Sequence, residues 1–520
     1  MDISNLFDKN KNIYQKFLYD AVNGFIRKFS STDIEELVDC FGITSANNSP
    51  NFHLIVFLSK DIPEEDKKKK ADKLSKHFDK YFAEYVSMNQ SQWNEVITTK
   101  GIDVNMDENS YNSLRAVSGV FNLKRVIEDT EKAKLKDTKK PEDVRFILQR
   151  LNDNGYSAYV VGGCVRDASM QRDPHDWDIT TSAKPDEVEQ IFADHKIIET
   201  GLKHGTVTVM RNGEGYEITT YRIDGDYSDG RHPDSVNFTD NVVEDLKRRD
   251  FTMNAIALDN RGEVVDPFDG CADIYNQTVR AVGNPRDRFD EDALRIMRAI
   301  RFSVVFGFDI DKNTKEAVLG MYQRLGKVSK ERIQAELVKM GNSPKFPEAL
   351  DEFREVFDFI FDTDDWNSPR KVANEDLITK FAYMFNTAEE AERIITDLKF
   401  DGYTRDCVVE LVQNKNKPIH EDSKPDIRAW LNVLGEEQLL RLGAIRGIDL
   451  TKIINDCRGD CYTYKDLTIN GNDVLSLGYK GKEVGEALKG ALWAVINDKV
   501  ANNKEDLIKY IKETYKLKGE

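Results

Sequence analysis

The chain has 520 residues, 40% hydrophobic and 32% charged, with 13 Pro and 31 Gly. That length implies three or four domains, and the composition excludes collagenous and disordered classes. Lys and Arg number 75 against 92 Asp and Glu, a net charge of −17, so nucleic acid would have to be held in a local basic groove and not by a general positive coat.

No apolar run approaches the ~18–20 residues of a membrane helix. Residues 1–6 carry neither a basic nor an apolar leader pattern, so a cytoplasmic location is expected. Of the Cys residues only Cys457 and Cys461 are close, and no second pair or His cluster completes a zinc site. Reduced thiols are the expectation.

Residues 1–135 read as a separate unit, an extra N-terminal α+β domain of unassigned role. Phe7, Tyr14, Phe17, Leu18, Ala21 and Phe25 recur at helical spacing and predict a helix over 6–29. A buried strand is expected at 53–58. The lysine run at 67–70 lies in a helical segment over 63–85 and reads as a solvated face, with RNA contact as the alternative. Residues 130–141 are highly charged and end in Pro141, which places a linker there.

From 142 to 270 helix and strand alternate. A helix from Pro141 to Leu151 precedes a strand at 156–161, which Gly162-Gly163 interrupts. A second strand is expected at 177–180, and Pro185 opens a helix reaching about Phe192. Strands at 206–210 and 216–221 are joined by Asn212-Gly213-Glu214-Gly215, a hairpin signal. The Gly- and Asp-rich stretch 224–233 reads as a mobile loop. From Asp290 onward the pattern is helical, with turn residues at 341–344, 367–369, 415–418 and 422–425.

The chemistry concentrates in Gly162-Gly163-Cys164-Val165-Arg166-Asp167 and Asp176-Trp177-Asp178. Side chains alternate along a strand, so Asp176 and Asp178 share one face. Two adjacent carboxylates repel unless a cation lies between them, and hard oxygen ligands suit Mg²⁺, which takes waters and phosphates as its other ligands. Gly162 and Gly163 let a phosphate approach backbone N–H groups at a helix start, and Arg166, one turn on, can add a charge-assisted contact. A D-x-D or a Gly-Gly by itself is usually a surface pair or a turn; their combination with Arg166 in one short span is far more specific.

These residues resemble the first motif of the class II tRNA nucleotidyltransferases and bacterial poly(A) polymerases, in the DNA polymerase β superfamily. Asp245-Leu246-Lys247-Arg248-Arg249-Asp250-Phe251-Thr252-Met253-Asn254-Ala255 resembles the family's RRDFT-x-NA block. The stretch from Glu291-Asp292 through Arg295, Arg298 and Arg301-Phe302 resembles its EDxxRxxRxxRF helix, and Glu331-Arg332-Ile333 with Glu336-Leu337 its ERI-x-x-EL segment. Residues 467–473 and 478–481 are similar to the tail of the firmicute-type enzymes, so the resemblance runs over about 142–515.

The resemblance implies an α+β fold. A nucleotidyltransferase head over 142–275 is followed by an elongated all-helical neck (276–345), body (346–420) and tail (421–520). It also implies template-independent addition of CCA to the tRNA 3′ end from CTP and ATP, with the tail on the tRNA acceptor arm. No membrane and no DNA partner are expected. Asp176 and Asp178 become the catalytic, metal-binding carboxylates for Mg²⁺. Gly162, Gly163, Arg166, Arg249 and Asp250 bind the nucleotide through triphosphate and ribose, joined by Asp292, Arg295, Arg298 and Arg301. Glu217 is a further carboxylate candidate near the metals.

On a continuous helix, positions three apart lie ~60° from one another around the axis. Asp292, Arg295 and Arg298 would then share a face, while Arg301 turns away towards the RNA or the fold. A carboxylate accepts from the amino group of cytosine or adenine and a guanidinium donates to the ring nitrogen; guanine and uracil present the reverse pattern. The alternative for Asp292 and Arg295 is an ordinary helix salt bridge. The loop 224–233 resembles the family's flexible loop, with His232 where the pattern has its second Arg; enzymes adding only CC lack this loop, so it points to full CCA addition. A poly(A) polymerase remains the nearest alternative. An idle head serving RNA binding or regulation is a second one, which the intact D-x-D argues against.

Overall fold

The structure, a computed structural model, describes residues 38–45 and 52–58, residues 132, 135 and 136, and residues 138–515 apart from 175, 203–204 and 226–234. The helices expected at 6–29 and 63–85, the lysine run at 67–70 and His232 lie outside the described residues. The chain divides into two units, residues 1–288 with 309–314 and residues 289–308 with 315–520. The division thus falls at Arg288/Phe289, later than the 275/276 boundary drawn from the sequence.

In the first unit, β1 (Val38–Ser45) and β2 (Phe52–Leu58) form an antiparallel pair, the second being the strand expected at 53–58. Next, α1 (Glu142–Asp153) buries Val144, Ile147, Leu148 and Leu151, the apolar spacing of one helical face. After it come β3 (Ala158–Val161), α2 (Gly163–Ser169), β4 (Ile179–Thr181), α3 (Pro185–Ile191), β5 (Lys196–Gly201), β6 (Thr206–Arg211) and β7 (Glu214–Thr220). The unit is completed by β8 (Arg222–Asp224), β9 (Val236–Phe238), α4 (Val242–Lys247), β10 (Ala257–Leu258), β11 (Val264–Val265), α5 (Gly270–Tyr275) and β12 (Thr278–Val279).

Seven of these strands make one sheet in the order β11-β10-β3-β4-β7-β6-β5. Only the β4–β7 pair is parallel; the other neighbours run antiparallel. The β6–β7 hairpin forms as the sequence requires: Asn212 and Gly213 both take positive φ, 50° and 91°, in a two-residue turn whose twist matches the strands. Val160, Val207, Val209 and Ile218 are fully buried in the sheet. β3 and β4 are therefore central strands, and the segments at their ends are held by the core.

The division falls within α6 (Pro285–Glu291), which ends before α7 (Leu294–Phe306) of the second unit begins. The continuous helix expected from Asp290 is broken at Asp292-Ala293. Gly307, at φ 74°, closes α7 in the left-handed conformation. Then α8 (Lys312–Met321) and α9 (Lys330–Gly341) follow, α9 packing on α7 through buried Ile333 and Leu337. Beyond it the chain is helical to Thr514, as expected. One core is aromatic, with Phe357, Phe361, Phe381 and Phe385 buried together. A second, near the C-terminal end, joins Tyr479, Leu492, Ile496, Leu507 and Ile511. Among the described residues no helix is long and apolar enough to cross a membrane, and Cys164, Cys271, Cys407, Cys457 and Cys461 are free thiols.

Candidate active site

The head site is built where β3 ends. Gly162 takes φ 77° and ψ −131°, a conformation open to glycine at little cost, and turns the chain directly into α2. The Val161 amide donates to the Asp178 carbonyl at 3.0 Å. This bond extends the β3–β4 ladder one residue past β4 and fixes the D-x-D segment beside the glycine turn. β4 itself starts at Ile179, so both carboxylates stand on its extended lead-in and not within the strand expected at 177–180.

A methyl group built on Gly162 would sit 3.1 Å from Arg249 Nη1 and 3.6 Å from Asp178 Oδ2. Those two charged atoms line the turn, and a Cβ there would need the Arg249 guanidinium to give by a few tenths of an ångström. Asp178 reaches solvent, yet protein surrounds it closely enough that burial raises its carboxyl above the ordinary range; Arg249 works against this, and the charge of Asp176 adds to it. The two aspartates therefore feel each other. Cys164, in the same turn, is pushed up to about 12, first by burial and then by Asp178. It remains a protonated, inert thiol.

Arg249 and its neighbours come from α4 and the residues after it. Asp245, fully buried, accepts from Arg248 Nη2 at 2.7 Å and Nε at 3.0 Å, and from Arg249 Nη2 at 3.3 Å. Burial works to raise the Asp245 carboxyl, but the two guanidiniums outweigh it and hold it below the usual range. Arg166 donates to Asp167 and, through Nη1, to Asn254 Oδ1 at 2.8 Å. Asn254 in turn donates to Asp250 Oδ1 at 3.0 Å, which also takes the Phe251 amide at 2.8 Å. Gly163, Arg166, Asn254 and Asp250 thus form one connected wall, with Asp250 almost wholly buried.

The second unit holds the other predicted group. Asp292 lies in the break ahead of α7, not on its face: its Oδ1 accepts from the Leu294 amide at 3.0 Å and its Oδ2 from Arg332 Nη2 at 2.7 Å. Arg295 donates to Glu291 at 2.6 Å. Arg298 lies over the Phe302 ring, and Arg301 packs on the same ring while pairing with the buried Glu336. The three arginines are only partly exposed, Arg295 and Arg301 at 12%, while the positions between them are buried. Arg332, Glu291, Asn254 and Asp245 were not singled out as site residues from the sequence. All four sit inside the quoted motif blocks, and Asp245 also stands at i−3 and i−4 from two arginines, a spacing that could have flagged it.

Glu217 stands on β7 one residue before Ile218, which pairs with Ile179, so it occupies the register position beside Asp178. Among the described residues no group of three or more His, Cys, Asp or Glu side chains is placed to hold a metal. The carboxylates at this end of the sheet are Asp176 and Asp178, with Glu217 at the neighbouring register position. Two hard oxygen ligands, coupled and open to solvent, fit a divalent ion that takes its remaining ligands from water and phosphate.

Three family models match the chain in the order of these structural parts. The Poly A polymerase head domain matches residues 158–280, the probable RNA and SrmB-binding site of polymerase A matches 307–356, and a putative tRNA nucleotidyltransferase domain 2 matches 372–511. These define a nucleotidyltransferase of the polymerase β type, a class that works with a divalent metal. The CCA-adding enzyme of Lactobacillus helveticus is 52% identical over 207 residues, 40% of this chain and 51% of that one, so this alignment spans about half of the relative's length. The CCA-adding enzyme of Staphylococcus saprophyticus is 35% identical over 392 residues, 71% of this chain and 98% of that one. The crystal structure of the Bacillus stearothermophilus CCA-adding enzyme in complex with CTP superposes with a TM-score of 0.60 at 31% identity, covering 72% of this chain and 98% of that one. The chain belongs to the CCA-adding enzyme family.

Proposed function

We propose that the protein adds C, C and A without a template to the 3′ end of tRNA in the cytoplasm, using CTP and ATP and releasing pyrophosphate. The observation that carries this reading is the head geometry: the Asp176-x-Asp178 pair beside a glycine turn that Arg249 closes, in a chain of this family. The terminal 3′-OH attacks the α-phosphorus, the bond to the β-phosphate oxygen breaks, and pyrophosphate leaves. Asp176 and Asp178 would hold Mg²⁺, which when bound makes the 3′-OH more acidic and stabilises charge on the phosphates. Gly162 and Gly163 offer close backbone approach to the triphosphate, and Arg249 supplies positive charge there. The Arg166–Asn254–Asp250 wall is rigid and suits the ribose and the adjoining phosphates.

Base choice falls to the second unit. Asp292, oriented by Arg332, accepts from the exocyclic amino group of cytosine or adenine. Arg295 donates to the ring nitrogen. Arg298 and Arg301 line the same helix, and Arg301 is committed to Glu336 and so supports the helix rather than the base. The helices over 346–420 and 421–520 would take the tRNA acceptor arm by shape and phosphate contacts.

The test is incubation with tRNA transcripts ending before CCA, after C and after CC, with each nucleoside triphosphate alone. The expected result is C, C and then A, with UTP and GTP refused. Runs of A on every transcript would instead make the protein a poly(A) polymerase.

A further inference from the structure

Asp245 is a fully buried carboxylate that no part of the transfer chemistry above uses. Burying an ion costs several kcal/mol unless partners repay it, and a buried ion pair by itself is weak ground for stability. Its partners show what it does. One oxygen takes two bonds from Arg248, whose guanidinium also lies 3.6 Å from Asp224 at the end of β8. The other oxygen takes Arg249 Nη2. The remaining nitrogens of Arg249 lack a comparable anchor: Nε is buried without a hydrogen-bond partner, and Nη1 faces the Gly162 turn. The aim of this guanidinium therefore depends on the Asp245 carboxylate.

We propose that Asp245 is a positioning residue for nucleoside triphosphate binding, fixing Arg249 over the Gly162 turn beside Asp178. The inference rests on the head of this protein taking a triphosphate, as argued above. Because Asp245 acts through a phosphate-binding cation, its loss should affect CTP and ATP alike and leave base choice and tRNA affinity untouched.

The experiment compares the full chain with Asp245→Asn, Arg249→Ala and the double variant. KM is measured for CTP on a transcript lacking CCA, for ATP on a transcript ending in CC, and for each tRNA. Kd for CTP is measured by equilibrium dialysis without turnover. Asp245→Asn is expected to raise both nucleotide KM values about tenfold, the scale of a lost charge-assisted bond, at unchanged tRNA KM. In the Arg249→Ala background it should add nothing. Unchanged nucleotide KM, or the same loss with Arg249 already removed, overturns the proposal. If Asp245→Asn does not fold, Asp245→Glu carries the test, with a rise of about threefold expected and a wild-type KM overturning it. If the wild-type chain transfers no nucleotide, the functional reading has failed, and the dialysis arm alone decides whether Asp245 governs CTP binding; no CTP binding by the wild type overturns both.

Discussion

Arg332 Nη2 donates to Asp292 Oδ2 at 2.7 Å, joining α9 to the break that precedes α7. The Leu294 amide holds the other oxygen of Asp292. The carboxylate proposed to read the base is thus held by one bond to its own backbone and one from forty residues on. Removing Arg332 leaves it only the backbone bond. Arg332→Ala should lower kcat/KM for CTP and ATP about 10-fold to 100-fold, the cost of a hydrogen bond to a charged group. Arg332→Lys should recover part of it. Wild-type nucleotide preference in Arg332→Ala would free Asp292 of this dependence.

Asp176→Ala or Asp178→Ala should reduce incorporation by about 10³-fold or more while leaving tRNA binding intact. Both carboxylates are solvent-facing and electrostatically coupled to each other. Gel-shift affinity and single-turnover rates measured on the same preparations separate the two effects. Near wild-type turnover in either variant would remove that aspartate from the metal set.

Arg295→Ala should lower CTP and ATP use and relax selection against UTP and GTP by about 1–3 kcal/mol, the scale of one polar base readout. Its bond to Glu291 spans the break between α6 and α7, and both side chains are mostly buried, 12% and 19% exposed. Truncating one partner of so buried a pair should also lower the thermal midpoint, so nucleotide preference is measured well below it. Unchanged preference would leave Arg295 with the salt bridge as its only role.

Much of this site was legible because its signals are local. The glycine turn and the Asn212-Gly213 hairpin depend on residue type within a few positions and form where the sequence placed them, while the D-x-D lies just ahead of its strand. Two features were not legible. β5 is an edge strand of the sheet, and its Lys196-Ile197-Ile198-Glu199 run puts two apolar residues side by side with no alternation to read. The break at Asp292 is the second. Glu-Asp-Ala is a helix-compatible run with neither Gly nor Pro, and what accompanies its interruption is a capping bond and the distant Arg332. Periodicity carries no record of a partner forty residues away.

Asp273 gives a pH dependence. It is buried in α5, accepts from Thr252 Oγ1 at 2.6 Å and faces Arg280 Nε at 3.1 Å. Burial pushes its carboxyl up to about 6 from 3.8, against the pull of Arg280. A native pKa above the unfolded one means the native state binds the proton more tightly. The contribution is fully present below about pH 4 and is lost as pH rises through about 6, amounting to at most ~3 kcal/mol. The wild type should therefore lose stability relative to Asp273→Asn between pH 4 and 6, read as the difference in thermal midpoint. A difference that stays flat across this window would mean Asp273 ionises normally.

The last prediction concerns where the head begins. The sequence put a linker at 130–141 and ended the extension at 135, but Leu135 is fully buried and its carbonyl accepts from the Thr138 amide at 3.0 Å. The Lys136 carbonyl packs so closely on Gly262 that a methyl group there would lie 2.7 Å away. Lys140 is also buried, and burial lowers its pKa against the pull of the Asp259 charge. These residues pack with the head that the motifs define. Deleting residues 1–131 should therefore leave a folded protein that still adds C and A, since every matched motif lies beyond it. Deleting residues 1–137 removes Leu135 as well and should cost about 1.5–3 kcal/mol, the value of burying one leucine side chain. Circular dichroism melts of the two truncations, run beside nucleotide addition at saturating tRNA, separate the cases. Equal melting of both would place Leu135 outside the head core. A folded 132–520 chain that adds no nucleotide would make the N-terminal extension part of the catalytic architecture.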